Sequence, residues 1–84
     1  METIVSKKDK LVEQFLAAER SFKWNHLTAL LKILEFRKVE GSGSRVNFTN
    51  GVVMIKLHKP HPGNEIKSYV IKEVKALLQR EKLI

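Results

Sequence analysis

The sequence predicts an α+β fold in which two helices precede a three-stranded antiparallel sheet and a third helix closes the chain. Three observations carry this. Apolar residues recur at helical spacing up to Leu34 and then switch to a period of two. An Asn50-Gly51 pair sits between two alternating stretches, as in a β-hairpin. Helical spacing returns after Asn64, behind Pro60 and Pro62, which end the last strand.

The first helix is expected over residues 7–22, where Leu11, Phe15, Ala18 and Phe22 form a stripe widened by Val12 and Leu16. Ser6 is its expected N-cap, and Lys8, Glu13, Glu19 and Arg20 fall on its solvent side. A second helix starts near Lys23, with Trp24, Leu27, Leu30, Leu31 and Leu34 on one face and His26 on the other. Phe22 and Leu27 occupy the two positions of a hydrophobic staple. Lys23 cannot accept a hydrogen bond from the free N–H groups of that helix, and Ser21 is the nearest alternative cap.

Strands are expected at residues 36–40, 45–49 and 52–58. Residues 41–44 form the first connection, and Asn50-Gly51 forms a tight turn with φ > 0 at both positions. Asn64 is the expected cap of a last helix that buries Ile66, Val70, Val74, Leu77 and Leu78. Alternation then assigns faces. Val46, Phe48, Val53, Ile55 and Leu57 turn toward the helices, while Arg45, Asn47, Met54, Lys56 and His58 form an open, basic face leading into Lys59 and His61.

With 84 residues the chain is one domain near the lower limit for a self-sufficient core, and 43% hydrophobic with 30% charged residues is a globular composition. The absence of Cys excludes disulfides, thiolate zinc sites and cysteine nucleophiles, and suits a reducing cytoplasm. No apolar run is long enough to span a bilayer and Met1-Glu2-Thr3 does not open a signal peptide, so the expectation is a cytoplasmic protein without a membrane partner. The net charge of +7 is uneven: residues 1–35 hold 6 Lys/Arg against 5 Asp/Glu, and residues 36–84 hold 10 against 4. A +6 half favours a polyanion, because each phosphate contact releases a counterion. The same charge also serves solubility.

Several residues in order carry a family resemblance: Phe22 and Trp24 opening a Leu-rich helix that ends at Leu34-Glu35-Phe36, Gly43-Ser44 ahead of the middle strand, and the stretch Leu57-His58-Lys59-Pro60-His61-Pro62-Gly63-Asn64-Glu65-Ile66-Lys67. From Phe22 to Leu83 the chain resembles the HicA toxins of bacterial toxin–antitoxin systems. The resemblance implies a fold like the double-stranded-RNA-binding domain (dsRBD-like, α-β-β-β-α) over residues 23–84, with residues 1–22 as an added N-terminal helix. It also implies a ribosome-independent mRNA interferase of a type II system, with mRNA as substrate, a HicB-like antitoxin as partner and no cofactor. Many members carry Gly-Ser-His-His at the start of the middle strand and use a His there for catalysis. Here Gly43-Ser44 leads into Arg45-Val46, the form of a subgroup that pairs Gly-Ser-Arg-Val with His-Lys-Pro-His-Pro.

Metal-independent RNA cleavage needs a base for the 2′-hydroxyl proton, an acid for the departing 5′-oxygen and cations or N–H donors for the phosphorane charge. Imidazole suits the first two, since its reference pKa of about 6.5 lies near working pH. His58 and His61 are the only imidazoles in the basic half. They are the candidate catalytic residues. Arg45, Asn47, Lys56, Lys59, Asn64 and Lys67 are the candidate RNA contacts, with N–H groups at the start of the last helix, near Asn64 and Glu65, available to a phosphate. Arg45 can hold a phosphate but cannot act as a base at neutral pH.

Each feature also has a plainer reading. His58 and His61 can simply order a strand-to-helix turn. Their spacing of three resembles a metal pair, but Asp9 is the only Asp and Glu65 the only nearby carboxylate, so no metal site is expected. Loop 41–44 lacks the Gly-Lys-Ser/Thr ending of a phosphate-binding P-loop. Trp24, Phe15, Phe22 and Phe48 fall at core spacing, and Tyr69 fits either core or surface. Lys67, Lys72, Lys75, Arg80 and Lys82 make either an RNA-facing stripe or an ordinary solvated face. The functional alternatives are therefore an RNA-cleaving toxin, an inactive RNA-binding or regulatory module of the same fold, and an adaptor that meets only the antitoxin.

Overall fold

The structure, a computed structural model, describes residues 6–41, 43–61 and 63–84. The first five residues, Ser42 of loop 41–44 and Pro62 of the segment 58–62 lie outside the described residues. The chain runs α1 (Lys7–Ala17), β1 (Ser21–Lys23), α2 (Trp24–Ile33), β2 (Arg37–Glu40), β3 (Arg45–Thr49), β4 (Met54–His58), β5 (Glu65–Lys67) and α3 (Ser68–Arg80). Strands β2, β3 and β4 form the expected antiparallel sheet in that order, so the fold is α+β and dsRBD-like.

Ser6 caps α1 as its sequence suggests, accepting a hydrogen bond from the Asp9 N–H at 3.1 Å. The helix ends five residues earlier than its apolar stripe implies. Ala18 is already extended, and Lys75 of α3 donates to the carbonyls of Leu16 (3.0 Å) and Ala18 (3.1 Å). A cation is thus fixed at the negative end of α1, satisfying carbonyls that the helix leaves without partners.

Phe22 does not continue α1. It lies in β1, which pairs antiparallel with β5: Ser21 opposite Lys67, Phe22 opposite Ile66, Lys23 opposite Glu65. Both central residues are buried and both flanking pairs exposed. This small ladder also answers the missing cap of α2. The Trp24 N–H donates to the Asn64 carbonyl at 2.6 Å, so a backbone oxygen from β5's approach takes the place of a capping side chain. The last helix accordingly starts at Ser68 rather than Asn64, because residues 65–67 are drawn into the sheet by burial of Ile66. Ile71 takes a core position beside Val74 and Leu78, while Val70 and Leu77 are half-buried.

Helix α2 ends in a Schellman motif built without glycine. The Glu35 N–H bonds the Lys32 carbonyl (3.0 Å), the Phe36 N–H bonds the Leu31 carbonyl (2.9 Å), and Glu35 takes the left-handed conformation at φ 70°. The same pattern closes α3: Lys82 to Gln79 (3.0 Å), Leu83 to Leu78 (2.8 Å), with Lys82 at φ 59°.

The β3–β4 turn is shifted by one residue from the expected Asn50-Gly51 centre. The Asn50 N–H donates to the Val53 carbonyl (3.3 Å), while its Oδ1 accepts from the N–H groups of Val52 (2.9 Å) and Val53 (2.8 Å). Gly51, at φ 93°, supplies the left-handed position, and Thr49 Oγ1 accepts the Gly51 N–H (3.1 Å). The asparagine works through its side chain rather than its own left-handed backbone.

One core joins these elements. Leu11 and Phe15 of α1 meet Phe22 and Ile66 of the small ladder, Trp24, Leu27, Leu30, Leu31 and Leu34 near α2, the inner residues of the sheet, and Ile71, Val74 and Leu78 of α3. Phe15 is 0% exposed and packs edge-to-face on Phe22 at 5.2 Å.

Candidate nucleic-acid interface

The open face of the sheet is set by register. Arg45 stands opposite His58, Asn47 opposite Lys56 and Thr49 opposite Met54, while on the other side Asn47 meets Val39 and Thr49 meets Arg37. Val46, Phe48, Ile55 and Leu57 alternate with them and are buried. The Lys59 N–H donates to the Ser44 carbonyl at 2.8 Å, so Ser44 and Lys59 are a hydrogen-bonded pair. Pair type alternates along an antiparallel ladder. Arg45–His58, Asn47–Lys56 and Thr49–Met54 are therefore the closer, non-hydrogen-bonded pairs, with side chains that rise side by side.

Gly41 adds to this at the other flank of Arg45. A Cβ at position 41 would lie 3.0 Å from the Arg45 Cβ, so the missing side chain leaves the arginine room. The face that results carries Arg37, Arg45, Lys56 and His58 and no Asp or Glu among residues 37, 39, 45, 47, 49, 54, 56 and 58. Val39 (40% exposed) and Met54 (48%) are its apolar members. Arg37 is absent from the sequence-derived set of contacts, although the period of two over residues 36–40 would have placed it on this face.

Beyond β4 the candidate residues leave the three-stranded ladder. His61 is exposed in the turn that follows Lys59. Among the described residues neither His58 nor His61 has a side-chain hydrogen bond. Asn64 is exposed and contributes its carbonyl to α2 rather than its side chain to α3. The N–H groups at the start of α3 are four residues further on than Asn64, behind Lys67, whose side chain makes no cap bond. Lys67 itself is exposed opposite Ser21 in the small ladder, apart from the three-stranded sheet.

Lys59 does not join the open face. It succeeds His58 on the strand's other side and lines a groove of about 620 Å³ between α2 and the edge strand β2. Trp24 and Phe48 border that groove, buried and edge-to-face at 6.4 Å, as their core spacing predicts. Asn25, Thr28, Lys32, Arg37 and Lys38 complete much of its wall. Nothing in the one-dimensional sequence brings residues from these three segments together.

The remaining residues resolve more simply. His26 is exposed and contacts the Phe22 ring at 6.0 Å. Tyr69 is 61% exposed. Lys75 is committed to α1, and Arg80 pairs with Glu81 at 3.6 Å, so these two members of the α3 stripe have protein partners. Among the described residues no three His, Cys, Asp or Glu side chains group as a metal ion would require. No described helix is long and apolar enough to cross a membrane.

Comparison with known proteins gives a family match. A family model described as the HicA toxin of bacterial toxin–antitoxin systems fits residues 24–80, about two thirds of the chain. No curated protein and no solved structure gives a match.

Proposed function

Because the chain belongs to the HicA toxin family of bacterial toxin–antitoxin systems, we propose that it is the toxin of a type II pair and binds and cleaves mRNA, with a HicB-like antitoxin as its restraint. The observation that carries this reading is the Arg45–His58 pair on a carboxylate-free basic face. A guanidinium there offers a planar fork to a phosphate, and the adjacent imidazole is a proton carrier within reach of the same phosphodiester.

In the proposed reaction one of His58 and His61 takes the proton of a ribose 2′-hydroxyl, whose oxygen attacks the neighbouring phosphorus. The other gives a proton to the departing 5′-oxygen, leaving a 2′,3′-cyclic phosphate and a free 5′-hydroxyl. Arg45 and Lys56 neutralise the charge that builds on the phosphoryl oxygens. Asn47 and Arg37 extend the contact across the sheet, and no metal or cofactor takes part.

Purified protein freed of its antitoxin should cleave labelled RNA in the presence of a chelator and leave cyclic phosphate ends. His58→Ala and His61→Ala should abolish cleavage with unchanged melting. RNA left intact across a range of pH and added divalent metals would end the enzymatic reading.

A second reading, an RNA-binding module without cleavage, has two supports. The resemblance implies that Arg45 stands where many members keep an imidazole, and among the described residues neither histidine has a side-chain hydrogen bond to orient it, as catalytic bases ordinarily do. In that case the same alanine variants would only weaken binding.

A further inference from the structure

We propose that the groove between α2 and β2 is a second nucleotide site, which holds a phosphate-bearing nucleotide of the same RNA strand on the opposite side of the sheet from Arg45 and His58. The proposal rests on the reading that RNA is the ligand.

Its volume of about 620 Å³ falls within the roughly 300–1,000 Å³ of sites that enclose small molecules. The wall combines apolar and charged contacts: the largely buried rings of Trp24 and Phe48 for apolar contact, Asn25 for a polar one, and cations for phosphate. The cations offered to a phosphate are Lys32 on α2 and Lys59 beyond β4, with Arg37 at the edge on β2 and no carboxylate among the described lining residues.

This spread of charge selects between occupants. A peptide with one acidic side chain would meet one cation, whereas a phosphodiester chain repeats its charge along its length and meets several. Arg37 belongs to both surfaces, since it pairs with Thr49 on the open face and also lines the groove. A strand crossing the edge of the sheet at β2 therefore passes Arg37 on its way from one set of cations to the other.

Trp24 is the only tryptophan of the chain and borders the groove. The test uses a short 2′-O-methyl RNA oligonucleotide, uncleavable because its 2′-oxygen is blocked. Anisotropy follows its binding to the full chain while tryptophan emission follows the groove. Binding should change Trp24 emission, and Lys32→Glu should weaken affinity about five- to tenfold. Lys8→Glu, the same charge change on an exposed residue of α1, should weaken it far less. Oligonucleotide binding with unaltered emission and no difference between the two variants would overturn the groove site and leave RNA recognition by the open face standing. No binding at all would overturn both. An acidic peptide that perturbs Trp24 where the oligonucleotide does not would assign the groove to a protein partner and overturn the proposal.

Discussion

Arg45 and His58 face each other across β3 and β4 as a non-hydrogen-bonded pair, the closer of the two pair types in an antiparallel ladder. Gly41 leaves the opposite flank of Arg45 clear. The arginine thus has an imidazole opposite it on one strand and no side chain opposite it on the other, which suits a side chain that must meet a phosphate from solvent.

Removing that cation has a measurable signature. Arg45→Ala should weaken RNA binding with little dependence on RNA sequence and reduce the slope of log affinity against log salt by about 0.7–1. Affinity measured across a salt series checks it, and an unchanged slope would mean that Arg45 touches no phosphate.

A stability change is expected at the C-terminus of α1. Lys75→Met keeps most of the side chain's length but leaves the carbonyls of Leu16 and Ala18 without their donor. Its cost should be about 1–2 kcal/mol, discounted for partial exposure. Urea unfolding should show a lower midpoint at unchanged m-value.

The opposite sign is expected at Glu35. Its φ of 70° is a conformation that glycine adopts without strain, and its N–H bond to Lys32 comes from the backbone. Glu35→Gly should stabilise the protein by about 0.5–1 kcal/mol, the relief of left-handed strain outweighing the greater freedom of the unfolded chain. Thermal melting checks the direction.

Phe15 tests how far the first helix belongs to the core. It is 0% exposed and stacks edge-to-face on Phe22, so Phe15→Ala should cost roughly 3–5 kcal/mol. Set against a total stability of roughly 5–15 kcal/mol for a domain, that loss should be visible as partial unfolding at physiological temperature. A variant as stable as the parent would show that α1 is not needed to hold the fold.

Much of the architecture was legible because periodicity reports burial directly. Leu27, Leu30, Leu31 and Leu34 mark α2, and alternation from Arg45 to His58 gives both sheet faces. Other features leave weaker traces. Ser21-Phe22-Lys23 and Glu65-Ile66-Lys67 are each a single polar–apolar–polar triplet, too short to stand out from the helical stripe beside them. The caps at Glu35 and Lys82 use no glycine, and the cap at Trp24 is a backbone carbonyl from Asn64, which no residue type announces. Of the open face, alternation names Arg45, Asn47, Met54, Lys56 and His58 and leaves out Arg37, Val39 and Thr49. The groove was not, because it is assembled from α2, β2 and Lys59, segments that meet only in the folded chain.

The turn that carries His61 is tethered on both sides, by the Lys59 N–H on the Ser44 carbonyl and by the Asn64 carbonyl on the Trp24 N–H. Both tethers are main-chain bonds, so side-chain substitutions along the turn leave them in place. The turn is in effect a short bridge between the sheet and the first turn of α2. Side chains along it can change without removing either bond, whereas a shorter connection would strain one of the two moorings. A histidine mounted there inherits a restricted reach from the backbone alone, before any neighbouring side chain orients it.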